Sequence, residues 1–142
     1  SIDGKPMNTS QHMLYQGMMV SDVPNMAMII GYINASWTLK VDVAADYICR
    51  LINHMDKNGF DEVIAHADPL QRENDTIMGK MSSGYIAREA DVMSKQSKQA
   101  PWKITNNYLV DRKELKDAKF DDGVLEFHKR GEQADRKPKL VS

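Results

Sequence analysis

Residues 24–55 read PNMAMIIGYINASWTLKVDVAADYICRLINHM, and this stretch decides the fold. Its first part, Met26–Ile30, is a short and continuously apolar run between turn residues, which predicts a strand buried on both faces. Gly31 follows at once and opens a short polar loop that ends at Ser36. The order of strand, glycine, polar loop and helix is therefore the organising unit of the chain.

A long helix is predicted after this loop, from Trp37 to Lys57. Asn34 and Ser36 are both candidates for the capping residue at its start, and Asn58-Gly59 is the expected left-handed end. Apolar residues recur at the three- and four-residue spacing of an amphipathic helix. The predicted core face consists of Val41, Ala44 or Ala45, Ile48, Leu51 or Ile52, and Met55.

The other segments carry weaker patterns. Apolar runs predict a strand with a glycine break at 13–20 and short strands at 60–65 and 124–127, and helices are predicted at 86–93 and 106–116. Residues 66–83 are polar and rich in turn residues, which is typical of a surface excursion. The segment 128–142 has almost nothing to bury and is predicted to be disordered. The fold class is therefore a mixed α/β fragment of two or three short strands and one long helix, followed by an irregular helical tail.

Composition excludes several classes of function. The 142 residues are 42% hydrophobic and 27% charged, with a formal net charge of -1. This balance is typical of a soluble globular protein and gives no reason to expect nucleic acid as a partner. No apolar run approaches the roughly 20 residues of a transmembrane helix. The single cysteine, Cys49, cannot form an internal disulfide, so we expect a cytoplasmic location.

No catalytic or metal-binding constellation is present in the sequence. The four histidines are scattered without carboxylates or cysteines at metal-ligand spacing, so we expect no metal site and no catalytic residue in this chain alone. Cys49 lies near the apolar side of the predicted helix, which indicates a buried, inert thiol. Met18-Met19 and Met26-x-Met28 are interpreted as core. Trp37 and Trp102 either stack on a ligand or anchor loops to the core.

The loop between the strand and the helix is the one candidate site. A helix start carries roughly half a positive charge and several unpaired N–H donors, which suit an anion or a ring carbonyl. Gly31 at the strand end would let a flat cofactor approach the backbone. Many turns of this kind bind nothing, so on these residues alone a purely structural turn is the better interpretation.

Three segments carry a family resemblance: Tyr15-Gln16-Gly17-Met18-Met19, Val23-Pro24-Asn25-Met26-Ala27, and Gly31-Tyr32-Ile33-Asn34-Ala35-Ser36-Trp37-Thr38-Leu39-Lys40. Together they closely resemble the end of the FAD domain in flavoprotein monooxygenases. The branch is the Baeyer–Villiger-like one that includes the ethionamide-activating monooxygenase. Looser similarity continues to about residue 130, and the run from Asn34 to Lys40 is the most specific part.

The resemblance implies a particular place for this chain in a larger enzyme. In that family the FAD domain is discontinuous, and residues 24–57 look like the return of the chain to it. The implied organisation is 1–65 as the carboxy-terminal return segment of the FAD domain, 66–127 as an extension with short helices, and 128–142 as the tail. The sequence has neither of the family's two glycine-rich turns for FAD and NADPH. We therefore expect the fragment to bind no cofactor and to be inactive alone.

The resemblance also assigns roles to the loop. FAD and NADPH are the implied cofactors of the parent enzyme, which would insert one oxygen atom into a ketone or heteroatom substrate. The implied cofactor-binding residues are Gly31, Asn34, Ala35, Ser36, Trp37 and Thr38, with the backbone amides of the last three facing the pyrimidine edge of the flavin. Leu39 and Lys40 would line the substrate side.

The implied partners are the remainder of the parent chain, with its FAD and NADPH domains, and a small organic substrate. A strand removed from its sheet exposes an unpaired edge and apolar surface, which leaves self-association open. The alternative function is a stand-alone protein-interaction module without a cofactor, in which the loop only caps the helix.

Overall fold

The computed structural model of the chain describes residues 2, 4–73 and 92–129. Its principal element is helix α1, which spans Trp37–Asn58. Gly59 follows with φ 68° and ψ 33°, and its N–H donates back to the carbonyls of Met55 and Asp56. The predicted helix and its left-handed end are thus confirmed to within one residue. Among the described residues, no helix is long and apolar enough to cross a membrane.

The described strands are short and form two separate antiparallel pairs. Strand β1, Leu14–Tyr15, pairs with β2, Met19–Val20, in a hairpin whose turn has positive φ at Gln16 and Gly17. The predicted single strand with a glycine break is therefore two strands, because this turn reverses the chain. The mixed α/β class of the fragment is confirmed.

The second pair joins two distant parts of the sequence. Strand β3, Glu62–Ala65, pairs with β4, Leu125–His128, with Glu62 opposite His128. Both predicted strands are confirmed, but β4 includes His128, which the prediction placed in the disordered tail. The rest of that tail after Lys129 lies outside the described residues.

Met26–Ile30 is not a regular strand in this chain. A single bridge joins Ala27 to Met19, supported by hydrogen bonds from Met28 N–H to the Met18 carbonyl (2.7 Å) and from Val20 N–H to the Met26 carbonyl (3.1 Å). The side chains are half-buried or exposed. The prediction of a strand buried on both faces is therefore wrong here, because within the described residues only β2 lies beside the segment.

The second long helix, α2, spans Tyr108–Lys116 and lies against α1. Asn107 caps it by accepting hydrogen bonds from the N–H groups of Leu109 and Val110. The helix begins two residues later than predicted, and its apolar Leu109 is 72% exposed. Residues 74–91, with most of the predicted 86–93 helix, lie outside the described residues.

The main core lies between the first hairpin, α1, α2 and β3. It comprises Met13, Tyr15, Met18, Met19, Ala44, Tyr47, Leu51, Val63, Ala65, Trp102, Leu115 and Leu125. This confirms Met18-Met19 as core and Trp102 as a loop anchor. The Trp102 ring packs edge-on against the Tyr15 ring, with 5.8 Å between the ring centroids.

The buried face of helix α1 agrees with the predicted one only in part. Its buried residues are Lys40, Ala44, Tyr47 and Leu51. Ala44 and Leu51 are thus confirmed, and Ile48 and Met55 are half-buried against the core, whereas the predicted Val41 is 43% exposed and Ile52, the alternative to Leu51, is 51% exposed. Cys49 is also exposed, so the prediction of a buried thiol is wrong. The buried stripe extends towards Lys40 and Tyr47, so Cys49 and Val41 lie away from the core.

Candidate functional site at the start of helix α1

The loop before α1 and the first residues of the helix form an exposed segment, residues 33–38, here called the ridge. Gly31 and Tyr32 are buried, whereas residues 33–38 are exposed. Within the ridge, the Trp37 residue has 60% of its surface exposed. The predicted site residues Asn34, Ala35, Ser36 and Thr38 are therefore all exposed.

The partial positive charge at the start of α1 is balanced neither by a capping side chain nor by an acidic residue in the first turn. Ser36 is the capping residue, with extended backbone at φ -61° and ψ 135°, but its side chain makes no capping bond. Its Oγ lies 2.7 Å from the hydroxyl of Thr38 instead. The first turn contains no acidic side chain, and the N–H groups of Trp37 and Thr38 have no acceptor among the described residues. Free donors at the positive end of a helix suit a negatively charged or carbonyl group.

Gly31 serves this ridge in another way than expected. A Cβ built at Gly31 would lie 2.3 Å from the ring of Trp37, far inside van der Waals contact. The missing side chain therefore lets the indole lie directly on the backbone. The space above Gly31 is filled by Trp37, so it offers no room for a flat cofactor in this arrangement.

Beneath the ridge lies a buried charged cluster of Tyr32, Lys40 and Asp111. The Lys40 Nζ lies 2.7 Å from Asp111 Oδ2, and the Tyr32 hydroxyl donates to the same oxygen at 2.8 Å. The lysine and aspartate side chains are only 4% and 9% exposed. Burial, with the hydrogen bond to Asp111, raises the pKa of the Tyr32 hydroxyl above its ordinary range. The ammonium group of Lys40 thus faces the interior, which does not fit its expected place on the substrate side.

This cluster fixes the ridge to α2. Lys40 belongs to the first turn of α1 and Asp111 to the first turn of α2, so the two helix starts meet at one ion pair. At the other end of α2, Arg50 donates to the backbone carbonyls of Leu115 and Ala118. The carbonyls at a helix end favour a cation, so Arg50 caps α2. Sequence reasoning missed Asp111; the available signal was a lysine inside an otherwise apolar helical stripe.

The cavity within the ridge is small. It has a volume of about 10 Å³ and is lined by Gly17, Ile30, Gly31, Tyr32, Ile33, Lys40, Ile104 and Asn106. About one water molecule fits in such a space. A flavin ring or an organic substrate would therefore have to lie on the outside of the ridge, against the free amides of the helix start. Leu39, which was expected on the substrate side, is half-buried. Among the described residues there is no group of three or more potential metal ligands.

Comparison with known proteins identifies sequences that contain nearly this whole chain. The protein described as "Probable FAD-binding monooxygenase AlmA" from Acinetobacter sp is 93% identical over 143 residues, and the AlmA protein of Acinetobacter baylyi is 69% identical over 144 residues. In both, the match covers 100% of this chain and 29% of the relative. The "FAD-containing monooxygenase EthA" of Mycobacterium tuberculosis is 42% identical over 130 residues, covering 92% of this chain and 26% of that protein.

No family model matches the chain, and no solved structure matches it. These three relatives are nevertheless all named as FAD-binding or FAD-containing monooxygenases. The chain spans less than a third of their length. By sequence, this chain belongs to the FAD-containing monooxygenases and is a fragment of such a protein.

Proposed function

We propose that the protein containing this chain is an FAD- and NADPH-dependent monooxygenase that inserts one oxygen atom into a ketone or heteroatom substrate. The names of the relatives support FAD and monooxygenation. NADPH and the Baeyer–Villiger type of reaction rest on the resemblance of residues 15–40 to that branch. The single cysteine supports a cytoplasmic location for the parent.

The observation that carries the proposal for this chain is the uncapped start of α1. Bound FAD would supply the oxygen chemistry, and this chain would supply donors and position. The N–H groups of Ser36, Trp37 and Thr38 would donate to the pyrimidine edge of the ring, where negative charge develops on reduction. The N–H groups of Trp37 and Thr38 belong to the first turn of α1 and have no acceptor among the described residues, which supports this role.

The residues around these donors have supporting roles. Asn34 would orient the ring edge from the exposed loop, and Ala35 would allow close approach because its side chain is small. Gly31 contributes indirectly, since it seats Trp37 on the backbone. Lys40 acts below the site, where its ion pair with Asp111 holds the first turn of α1 in place.

The fragment alone is expected to be colourless and inactive. Its own cavity under the ridge holds about 10 Å³, and its sequence contains neither glycine-rich nucleotide turn. A cofactor bound only at a helix start would have lost most of its contacts. A purified fragment carrying one equivalent of flavin would contradict this expectation.

The test of the function uses the full-length parent protein. We expect it to purify with FAD and to oxidise NADPH in proportion to oxygen insertion into cyclic ketones or thioethers, with one atom from labelled O₂ appearing in the product. A full-length protein that binds no flavin and shows no NADPH-dependent oxygen insertion would refute the proposal. The interaction module would then be the better interpretation of this chain.

A further inference from the structure

Helix α1 carries a second apolar face that the described part of this chain leaves mostly exposed, although Ile48 on this face is half-buried against the main core. Trp37, Val41, Ala45, Ile48 and Ile52 follow one another at four- and three-residue spacing and form one stripe along the helix, here called the outer stripe. Trp37, Val41 and Ile52 are 60%, 43% and 51% exposed. The stripe lies beside the buried face of Ala44, Tyr47 and Leu51, and the polar residues Asp42, Asp46 and Asn53 occupy the opposite side.

The lower half of the outer stripe opens into an apolar groove. The groove has a volume of about 400 Å³, and its apolar lining comprises Met19, Met26, Ala27, Ile48, Leu51, Ile52, Met55, Phe60 and Val63. Asn25, Asp56 and Asp61 stand at its edge. Methionine side chains adapt to irregular surfaces, so such a groove suits a packed protein surface.

Single exposed apolar residues are ordinary, but a continuous stripe that leads into a groove is not. A helix with apolar residues on two adjacent faces is typically packed between two layers of structure. In the described part of this chain only one of the two layers is present, formed by the hairpin, α2 and β3.

We propose that the outer stripe and its groove are the docking surface for the remainder of the monooxygenase chain. The argument is one of length: relatives that match 100% of this chain extend over more than three times as many residues, since the match covers 29% of them. A partner in the same polypeptide is present at high effective concentration, which favours it over a second copy. The inference rests on the proposed function only in taking the partner to be the rest of that enzyme.

The test compares the same substitutions in two contexts. Val41→Glu and Ile52→Glu are made in the 142-residue chain and in the full-length parent, with Asn53→Glu on the polar face of α1 as the matched control. In the chain alone all three should shift the melting temperature by less than about 2 °C, because exposed sites tolerate substitution. In the parent, the two stripe variants should melt lower by about 6 °C or more, or be lost from the soluble fraction, whereas the control should not.

Milder variants cover the case in which the parent with a buried charge fails to fold. Val41→Ala and Ile52→Ala should lower the melting temperature of the parent by about 4 °C and that of the chain by less than about 1 °C. Equal shifts in the two contexts would overturn the proposal. So would a chain whose concentration-dependent dimerisation is abolished by Ile52→Glu while the parent is unaffected, because the occupant would then be a second copy. These readouts are melting temperatures, so they stand even if the parent shows no oxygen insertion.

Discussion

The buried ion pair under the ridge predicts a large and specific loss of stability when Asp111 is removed. In Asp111→Ala, Lys40 loses its ion-pair partner in a place where its side chain is 4% exposed, and the Tyr32 hydroxyl loses its acceptor. Breaking a buried pair on one side costs about 3–5 kcal/mol. Since small domains are stable by about 5–15 kcal/mol, the variant should lose about a fifth of its stability or more.

The reasoning also predicts the response to removing both partners. Lys40→Met with Asp111→Leu removes both charges and keeps the volume, so it should recover most of the loss. It should remain about 1–2 kcal/mol below the wild type, because the Tyr32 hydroxyl is then buried without an acceptor. Adding Tyr32→Phe should bring the stability closer to that of the wild type.

The assay is urea unfolding of the 142-residue chain, followed by circular dichroism and by tryptophan fluorescence. The control is Asp46→Ala, which breaks the exposed pair with Arg50 at 3.2 Å on the same helix and should cost less than about 0.5 kcal/mol. A loss below about 1 kcal/mol for Asp111→Ala would refute the assignment of a buried, structural pair. A double variant no better than the single variant would refute it as well.

Three further predictions follow from other parts of the molecule. Gly59→Val should lower the free energy of unfolding by about 1 kcal/mol or more through backbone strain at φ 68°, since an added Cβ meets nothing within 4 Å; overlapping melts of the two forms would show that Gly59 is not the left-handed end of α1. Burial raises the pKa of Tyr15, so its ionisation on unfolding should lower stability as the pH rises above about 10, and Tyr15→Phe should reduce that slope by about 1.4 kcal/mol per pH unit, measured by urea unfolding in alkaline buffers. In the full-length parent, Asn34→Ala and Thr38→Pro should lower NADPH-dependent turnover by about 100-fold with little change in melting temperature. Wild-type turnover in both would leave the loop as a helix cap only.

Helix α1 could be predicted because its signals are local. The spacing of apolar side chains and the Asn58-Gly59 end depend on neighbouring residues only, and both survive in the structure. The face turned to the core could be predicted only in part, since Ala44 and Leu51 are buried as expected but Lys40 and Tyr47 are buried as well. An apolar pattern does not include Lys40, because it counts only apolar residues. The burial of Lys40 depends on its ion pair with Asp111, 71 residues further along the chain. The loop from Gly31 to Ser36 could be located by its sequence pattern. The packing of Trp37 on Gly31 could not, because it depends on how the loop folds in three dimensions.

Two of the differences between prediction and structure share one physical cause. Met26–Ile30 and the outer stripe are as apolar as core segments, yet this chain leaves them half-buried or exposed. An apolar pattern is selected in the folded protein as a whole, and this chain is under a third of the length of its relatives. Where pattern and burial disagree in a fragment, the excess apolar residues therefore mark the surfaces that the missing part should cover. That argument would fail if Met26–Ile30 exchanged its amide hydrogens as fast in the full-length protein as in the fragment, because a covered strand exchanges slowly. We expect slow exchange there in the parent and fast exchange in the fragment, measured at the same pH and temperature.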